Sequence, residues 1–280
     1  MAIPILNNWE KYFQNYDEGL GSTYERFIIN EILNKAVKNF QINSVLESPS
    51  FGFTGLSGIN SLGLALQKIE VTINDNNRYR LAKISRIWEP FQANVHIDYV
   101  ENFNHLPYSN QRFDLAWNFS SLWFVDNFEK YLEELSRVSK KLIIIMVPNT
   151  TGIGYLHQKY THPEQINFLL KEPYIKPKYF IHKLQSLGWN LLSATYIDCP
   201  LWPDIGMAKE SFIKQHHLGW FFKHLWRLKK KKSIINYYSG KDIFLKEQVL
   251  KYNFLEAKAP LLIKKIWAHH RCFIFTHTTR

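Results

Sequence analysis

One segment constrains this chain more than any other: an apolar strand, a glycine-bearing turn, a helix, and a second strand ending in an acid. It runs Asn43-Ser-Val-Leu-Glu47-Ser48-Pro49-Ser-Phe51-Gly52-Phe-Thr54-Gly55-Leu-Ser-Gly58, and after the helix Glu70-Val-Thr-Ile-Asn74-Asp75. Such a turn lets backbone N–H groups and a helix N-terminus approach a polar ligand closely. A carboxylate at the tip of the next strand is placed to hold a ribose diol. Together these features point to a nucleoside-containing cofactor.

The rest of the chain extends the alternation. β-rich runs are expected at Ser44–Leu46, Glu70–Ile73, Asn94–Tyr99, Phe113–Asn118, Leu142–Val147, Asn190–Ile197 and His270–His277, with helices between them. The run Asn127–Ser139 carries Phe128, Tyr131, Leu132, Leu135 and Val138 on one helical stripe, and Lys178–Leu187 is a helix closed by Gly188. Several strands are apolar throughout, as in a parallel sheet covered on both faces. The expected fold is α/β: a Rossmann-like doubly wound sheet of about seven strands. Residues 1–41 form an N-terminal helical cap, 42–198 a cofactor-binding core, 199–265 a basic and mainly helical insertion or lid, and 266–280 the last strand. Within the cap, Gly19-Leu-Gly21 reads as a break, and Ser22 with Glu25 as the capping box of the next helix.

Charge and composition narrow the classes. Residues 1–198 hold 19 Lys/Arg and 19 Asp/Glu, whereas 199–280 hold 16 and 5, so the whole net charge of +11 sits in the last third. Two cysteines make neither a disulfide framework nor a thiolate metal site. The first residues do not resemble a secretory signal and no window is apolar enough to span a bilayer, so a cytoplasmic setting is expected. The pairs His216-His217 and His269-His270 should point apart, and no carboxylate stands near them at ligand spacing; no metal is expected. Nucleophilic triad catalysis finds no elbow motif.

The order of elements and the residues at the strand ends resemble the class I S-adenosylmethionine-dependent methyltransferases, most closely those with a methyltransferase-11-like domain. The similarity covers roughly residues 20–200 and the final strand. It rests on Val45-Leu46-Glu47, on Asp75, on Asn102-Phe103-Asn104-His105-Leu106-Pro107-Tyr108, on Arg112-Phe113-Asp114-Leu115-Ala116-Trp117-Asn118, and on Ile143-Ile-Ile-Met-Val-Pro148. The resemblance implies that Glu47 orders the glycine loop and the methionine amino group, that Asp75 meets the ribose hydroxyls, and that Asn102 and Phe103 meet the adenine. Asn118 and Phe119 would lie beside the sulfonium, and Ser48, Gly52, Thr54 and Gly55 would complete the S-adenosyl-L-methionine contacts. The family loop is Glu-x-Gly-x-Gly-x-Gly; here Pro49 and Phe51 stand at the first two glycine places, so the loop must take another path.

The implied reaction is methyl transfer to a small or lipid-like acceptor, with no assigned catalytic base. The alternative is a methyltransferase-like scaffold without catalysis that serves as a binding or assembly partner. The stretch 218–232 interleaves Trp220, Phe221, Phe222 and Trp226 with cations and ends in four lysines. It reads as an ordinary helix with one buried face and a solvated basic face, or else as a lid or a peripheral contact with anionic membrane, both ahead of a nucleic-acid contact.

Overall fold

The computed structural model describes residues 9–164, 166, 170–201 and 233–277. Seven strands form one sheet: β1 (Ser44–Glu47), β2 (Glu70–Asp75), β3 (Val95–Tyr99), β4 (Phe113–Phe119), β5 (Ser139–Pro148), β6 (Trp189–Ile197) and β7 (His270–His277). Their order is β3-β2-β1-β4-β5-β7-β6. The first five are parallel, and β7 runs antiparallel between β5 and β6. The expected doubly wound sheet is therefore present, with the last strand of the chain inserted beside β5.

Each strand serves two cores because successive side chains point to opposite faces. Along β5, Leu142, Ile144 and Met146 join Val45, Ile73, Leu115 and Trp117 on one side. Ile143, Ile145 and Val147 join Leu46, Ala116, Phe273 and Phe275 on the other. That double coverage is why these strands read as unbroken apolar runs. The first face is covered by α1 (Glu10–Asn15), α2 (Gly19–Phe40), α3 (Leu62–Ala65) and α4 (Arg78–Trp88). The second is covered by α5 (Phe128–Val138) and α7 (Pro177–Ser186), while α6 (Ile153–Thr161) follows β5.

The N-terminal helices differ from the sequence expectation. The break falls before Gly19, where Tyr16 takes a left-handed conformation and the Asp17 carboxylate accepts from the Gly19 N–H at 3.1 Å. Gly19-Leu-Gly21 lies inside α2, so Ser22 caps nothing and Glu25 is not part of a capping box. Tertiary packing overrides the local signal: Tyr24, Phe27, Ile28 and Leu33 are buried along α2, which favours extending the helix back to Gly19.

Of the expected basic insertion, residues 202–232 lie outside the described residues, and with them the aromatic and lysine-rich stretch 218–232. Its remaining part is helical in four short pieces: α8 (Ile234–Tyr238), α9 (Leu245–Leu250), α10 (Phe254–Lys258) and α11 (Leu261–Trp267). Ile234, Leu245 and Val249 are buried in the first core, and Lys246 reaches Glu31 of α2 at 3.4 Å. This part of the insertion is thus built into the N-terminal cap. No described helix is long and apolar enough to cross a membrane.

Candidate functional site

Glu47 ends β1 and is 1% exposed. One carboxylate oxygen accepts from Asn60 Nδ2 at 3.0 Å; the other accepts from the Ser61 N–H at 3.1 Å and from Ser61 Oγ at 2.7 Å. Burial pushes its carboxyl above the ordinary range, opposed by these hydrogen bonds and by the charge of Arg26. Glu47 therefore ties the far end of the glycine-bearing loop to the sheet. From the other side the fully buried Arg26 of α2 donates to Asn60 Oδ1, to the Leu56 carbonyl at 3.0 Å, and to both oxygens of Glu18. Glu18 in turn accepts from the Leu56 N–H at 2.8 Å, and the Arg26 guanidinium covers the Phe53 ring at 4.2 Å. Thr54 touches Ser22 of α2 at 3.4 Å, and a Cβ on Gly55 would overlap the Glu18 carboxylate.

The near end of the loop lies across the strand tips. The Ser48 N–H donates to the Trp117 carbonyl at 3.0 Å, and the Ser50 N–H to the Asn74 carbonyl at 2.9 Å. Gly52 is pressed against β4: a Cβ there would overlap the Phe119 carbonyl oxygen and stand 3.0 Å from the Ser120 carbonyl carbon. Phe119 packs between Phe53, 5.5 Å away, and His270, 4.6 Å away. Tyr131 of α5 donates its hydroxyl to the Ser48 carbonyl and accepts from Asn118 Nδ2 at 3.3 Å; burial pushes that phenol up. Ser48 Oγ, Asn74 Oδ1, Asn118 Oδ1, Ser120 Oγ and Ser121 Oγ are buried at these strand ends and hydrogen-bond to no described residue. Orphaned buried polar atoms ask for a polar partner. A polar ligand at the ends of β1, β2 and β4 fits that need.

The β2 tip is arranged differently. Both Asp75 oxygens are held by Arg80 of α4, and they also accept from Ser50 Oγ at 3.1 Å and from the Asn77 N–H at 2.9 Å. Phe51 lies over Arg80 at 3.9 Å and against Phe124 at 5.2 Å, so its ring spans from the β2 side to the segment after β4. Asp75, the residue expected at the ribose diol, is thus engaged by an arginine whose guanidinium is covered by a phenyl ring. Asn102, after β3, is exposed, and its side chain accepts from the Asn104 N–H at 2.8 Å in a local turn. Phe103 is buried edge-on to Tyr131.

The fold thus brings Glu47, Ser48, Gly52, Asp75, Asn118 and Phe119 to one end of the sheet. Thr54 and Gly55 stand farther along the loop against α2, and Asn102 and Phe103 sit in the turn after β3. Sequence reasoning passed over Arg80, Arg26, Glu18, Ser50 and Tyr131. Arg80 alone left a signal, a cation one helical turn beyond the Asp75-Asn-Asn77 start. The other partners come from elements whose proximity no local pattern encodes.

Comparisons with known proteins agree with this architecture. Residues 54–145 match the family model described as a methyltransferase domain. No curated protein matches the sequence. Among solved structures, a methyltransferase from Thermotoga maritima, described as a possible histamine N-methyltransferase, superposes with a TM-score of 0.52 at 12% identity, over 98% of this chain and 97% of that one. A putative sarcosine dimethylglycine methyltransferase from Galdieria sulphuraria gives 0.53 at 10% identity, over 90% and 84%. The YcgJ protein from Bacillus subtilis gives 0.51 at 12%, over 90% and 99%. The matched residues begin just past Pro49 and Phe51, in the part of the loop held by Arg26 and Glu47. Residues 54–145 thus match a methyltransferase domain, and the chain shares the fold of these solved methyltransferases.

Proposed function

We propose that this protein transfers the methyl group of S-adenosylmethionine to a small or lipid-like acceptor. The observation that carries the reading is the set of orphaned polar atoms of Ser48, Asn74, Asn118, Ser120 and Ser121 at adjacent strand ends of a methyltransferase domain. The methyltransferase-domain match implies cofactor binding, and these residues would hold the cofactor's polar groups. When bound, the cofactor supplies a methyl group already activated by a sulfonium for in-line displacement. The chain's own work is alignment and exclusion of water. Tyr131 fixes the Ser48 carbonyl, Glu47 and Arg26 fix the loop, and Phe53, Phe103 and Phe119 wall the strand ends. Residues 199–265 enclose the acceptor in this reading, and the aromatic content of 16% suits an apolar or ring-bearing one.

A second reading has an observation of its own. With Asp75 engaged by Arg80 and Phe51 across the strand tips, the domain could serve as a non-catalytic binding or assembly scaffold. Calorimetric titration with S-adenosylmethionine and with its demethylated product separates the two. Micromolar binding of both is expected, and absence of binding to folded protein excludes methyl transfer. Phe51→Gly restores a family glycine and removes the ring that stacks on Arg80. Its affinity for the demethylated product is expected to rise about tenfold, or ~1.4 kcal/mol; an unchanged affinity means that Phe51 does not obstruct the site.

Contact with an anionic membrane surface through 218–232 is also proposed from its aromatic and lysine pattern. Co-flotation with vesicles containing phosphatidylserine is the measurement. Changing Lys229–Lys232 to serine is expected to abolish it, and flotation that survives the change rejects the idea.

A further inference from the structure

Glu25 of α2, Asp198 just past β6 and His270 at the start of β7 meet behind Phe119. They are 5%, 3% and 1% exposed. His270 Nδ1 lies 2.8 Å from Glu25 Oε1 and 3.6 Å from Asp198 Oδ2, and one donor atom from each residue falls within 4.8 Å of the other two. The adjacent histidines, expected to point apart, both reach Asp198, because His269 precedes the strand: its Nδ1 is 2.8 Å from Asp198 Oδ2.

The angles matter as much as the distances. His270 Nδ1 and Glu25 Oε1 are in contact yet not aligned as donor and acceptor, and Nδ1 makes no hydrogen bond to a described residue. Asp198 Oδ1 makes none either. Donor atoms grouped this closely but not directed at one another are arranged around a common point. Ligand atoms about 2.0–2.2 Å from one ion stand roughly 2.8–3.6 Å apart between octahedral and tetrahedral angles, and the two His270 contacts, 2.8 and 3.6 Å, fall at the ends of that range. Two carboxylates this deep in the protein also need compensating positive charge. His269, bonded to the Asp198 carboxylate, does for it what outer partners do for metal-bound carboxylates.

We propose that Glu25, Asp198 and His270 bind one divalent transition-metal ion, Zn2+ being the ion that best suits one imidazole and two carboxylates. The ion would join α2 to the ends of β6 and β7. Three protein ligands leave a coordination position for water or another oxygen ligand. The site neighbours the candidate cofactor site through the contact of the His270 and Phe119 rings. It does not depend on methyl transfer, and cofactor titrations on the same preparations report on that reading separately.

The test uses the full chain, stripped with a chelator and titrated with Zn2+ by calorimetry. One ion per chain with micromolar or tighter affinity is expected. Glu25→Gln and Asp198→Asn, checked for folding by circular dichroism, should each weaken binding at least about tenfold. His182→Ala, at an exposed histidine of α7, should leave it unchanged. Absence of binding overturns the proposal, as does binding undiminished in both carboxylate variants, which would mark an adventitious ion on surface histidines only. Should those variants fail to fold, X-ray absorption of the Co2+-loaded wild type decides. A shell of nitrogen and oxygen with one imidazole supports the assignment, and sulfur or several imidazoles in the shell refutes it.

Discussion

An Arg26→Ala variant is expected to melt about 10 °C below the wild type, a loss of roughly 3–5 kcal/mol. The guanidinium is wholly buried and meets Glu18, Asn60, the Leu56 carbonyl and the Phe53 ring. Removing it strands the Glu18 carboxylate without its cation, and an uncompensated buried charge costs far more than an ion pair contributes. The damage travels, because Asn60 connects Arg26 to Glu47 and so to the loop over the strand ends. Binding of the demethylated cofactor should weaken together with stability. Adding Glu18→Gln should recover about half of the lost stability by removing the stranded charge. Thermal melts of the single and double variants check this; a drop of less than about 1 kcal/mol in the single variant, the level of an exposed ion pair, would show that the network does not hold the loop.

Gly52→Ala is the second large effect. The added methyl has no room, since its neighbours are the backbone of Phe119 and Ser120 and not the end of a flexible side chain. That backbone is itself held: the Ser120 N–H donates to the Met146 carbonyl at 2.8 Å, and Trp123 Nε1 to the Ser120 carbonyl at 2.8 Å. Either the loop or the β4 tip must shift, at a cost of about 3 kcal/mol. The orphaned polar atoms on both sides then lose their arrangement. Affinity for the demethylated cofactor is expected to fall about tenfold or more, with the chain still folded by circular dichroism. Unchanged affinity in a folded variant would mean that the contact between Gly52 and β4 is not part of the binding surface.

The sheet was legible because burial on both faces leaves short, unbroken apolar runs, a signature that needs no partner information. The strands from Ser44 to His277 lie close to where the sequence pattern puts them, and α7 stops just before Gly188, which takes a positive φ. The cap was less legible. Gly19 to Glu25 carries a sound local capping pattern, yet α2 runs through it because its apolar face is buried against the sheet. At the candidate site, Glu47 and Gly52 announced themselves by their place after β1. The engagement of Asp75 did not, since a carboxylate at a strand tip looks alike in sequence whether it faces a sugar or an arginine.

The sequence by itself determined the order of strands and helices along the chain, the acids at the tips of β1 and β2 and the departure from the glycine pattern, all of which are local. Tertiary structure alone decided what those groups touch. It set Arg80 on Asp75, Arg26 between Glu18 and Asn60, and Glu25 and Asp198 against His270. Side-chain chemistry is written locally, whereas a carboxylate's partner depends on which distant segments the two cores press together.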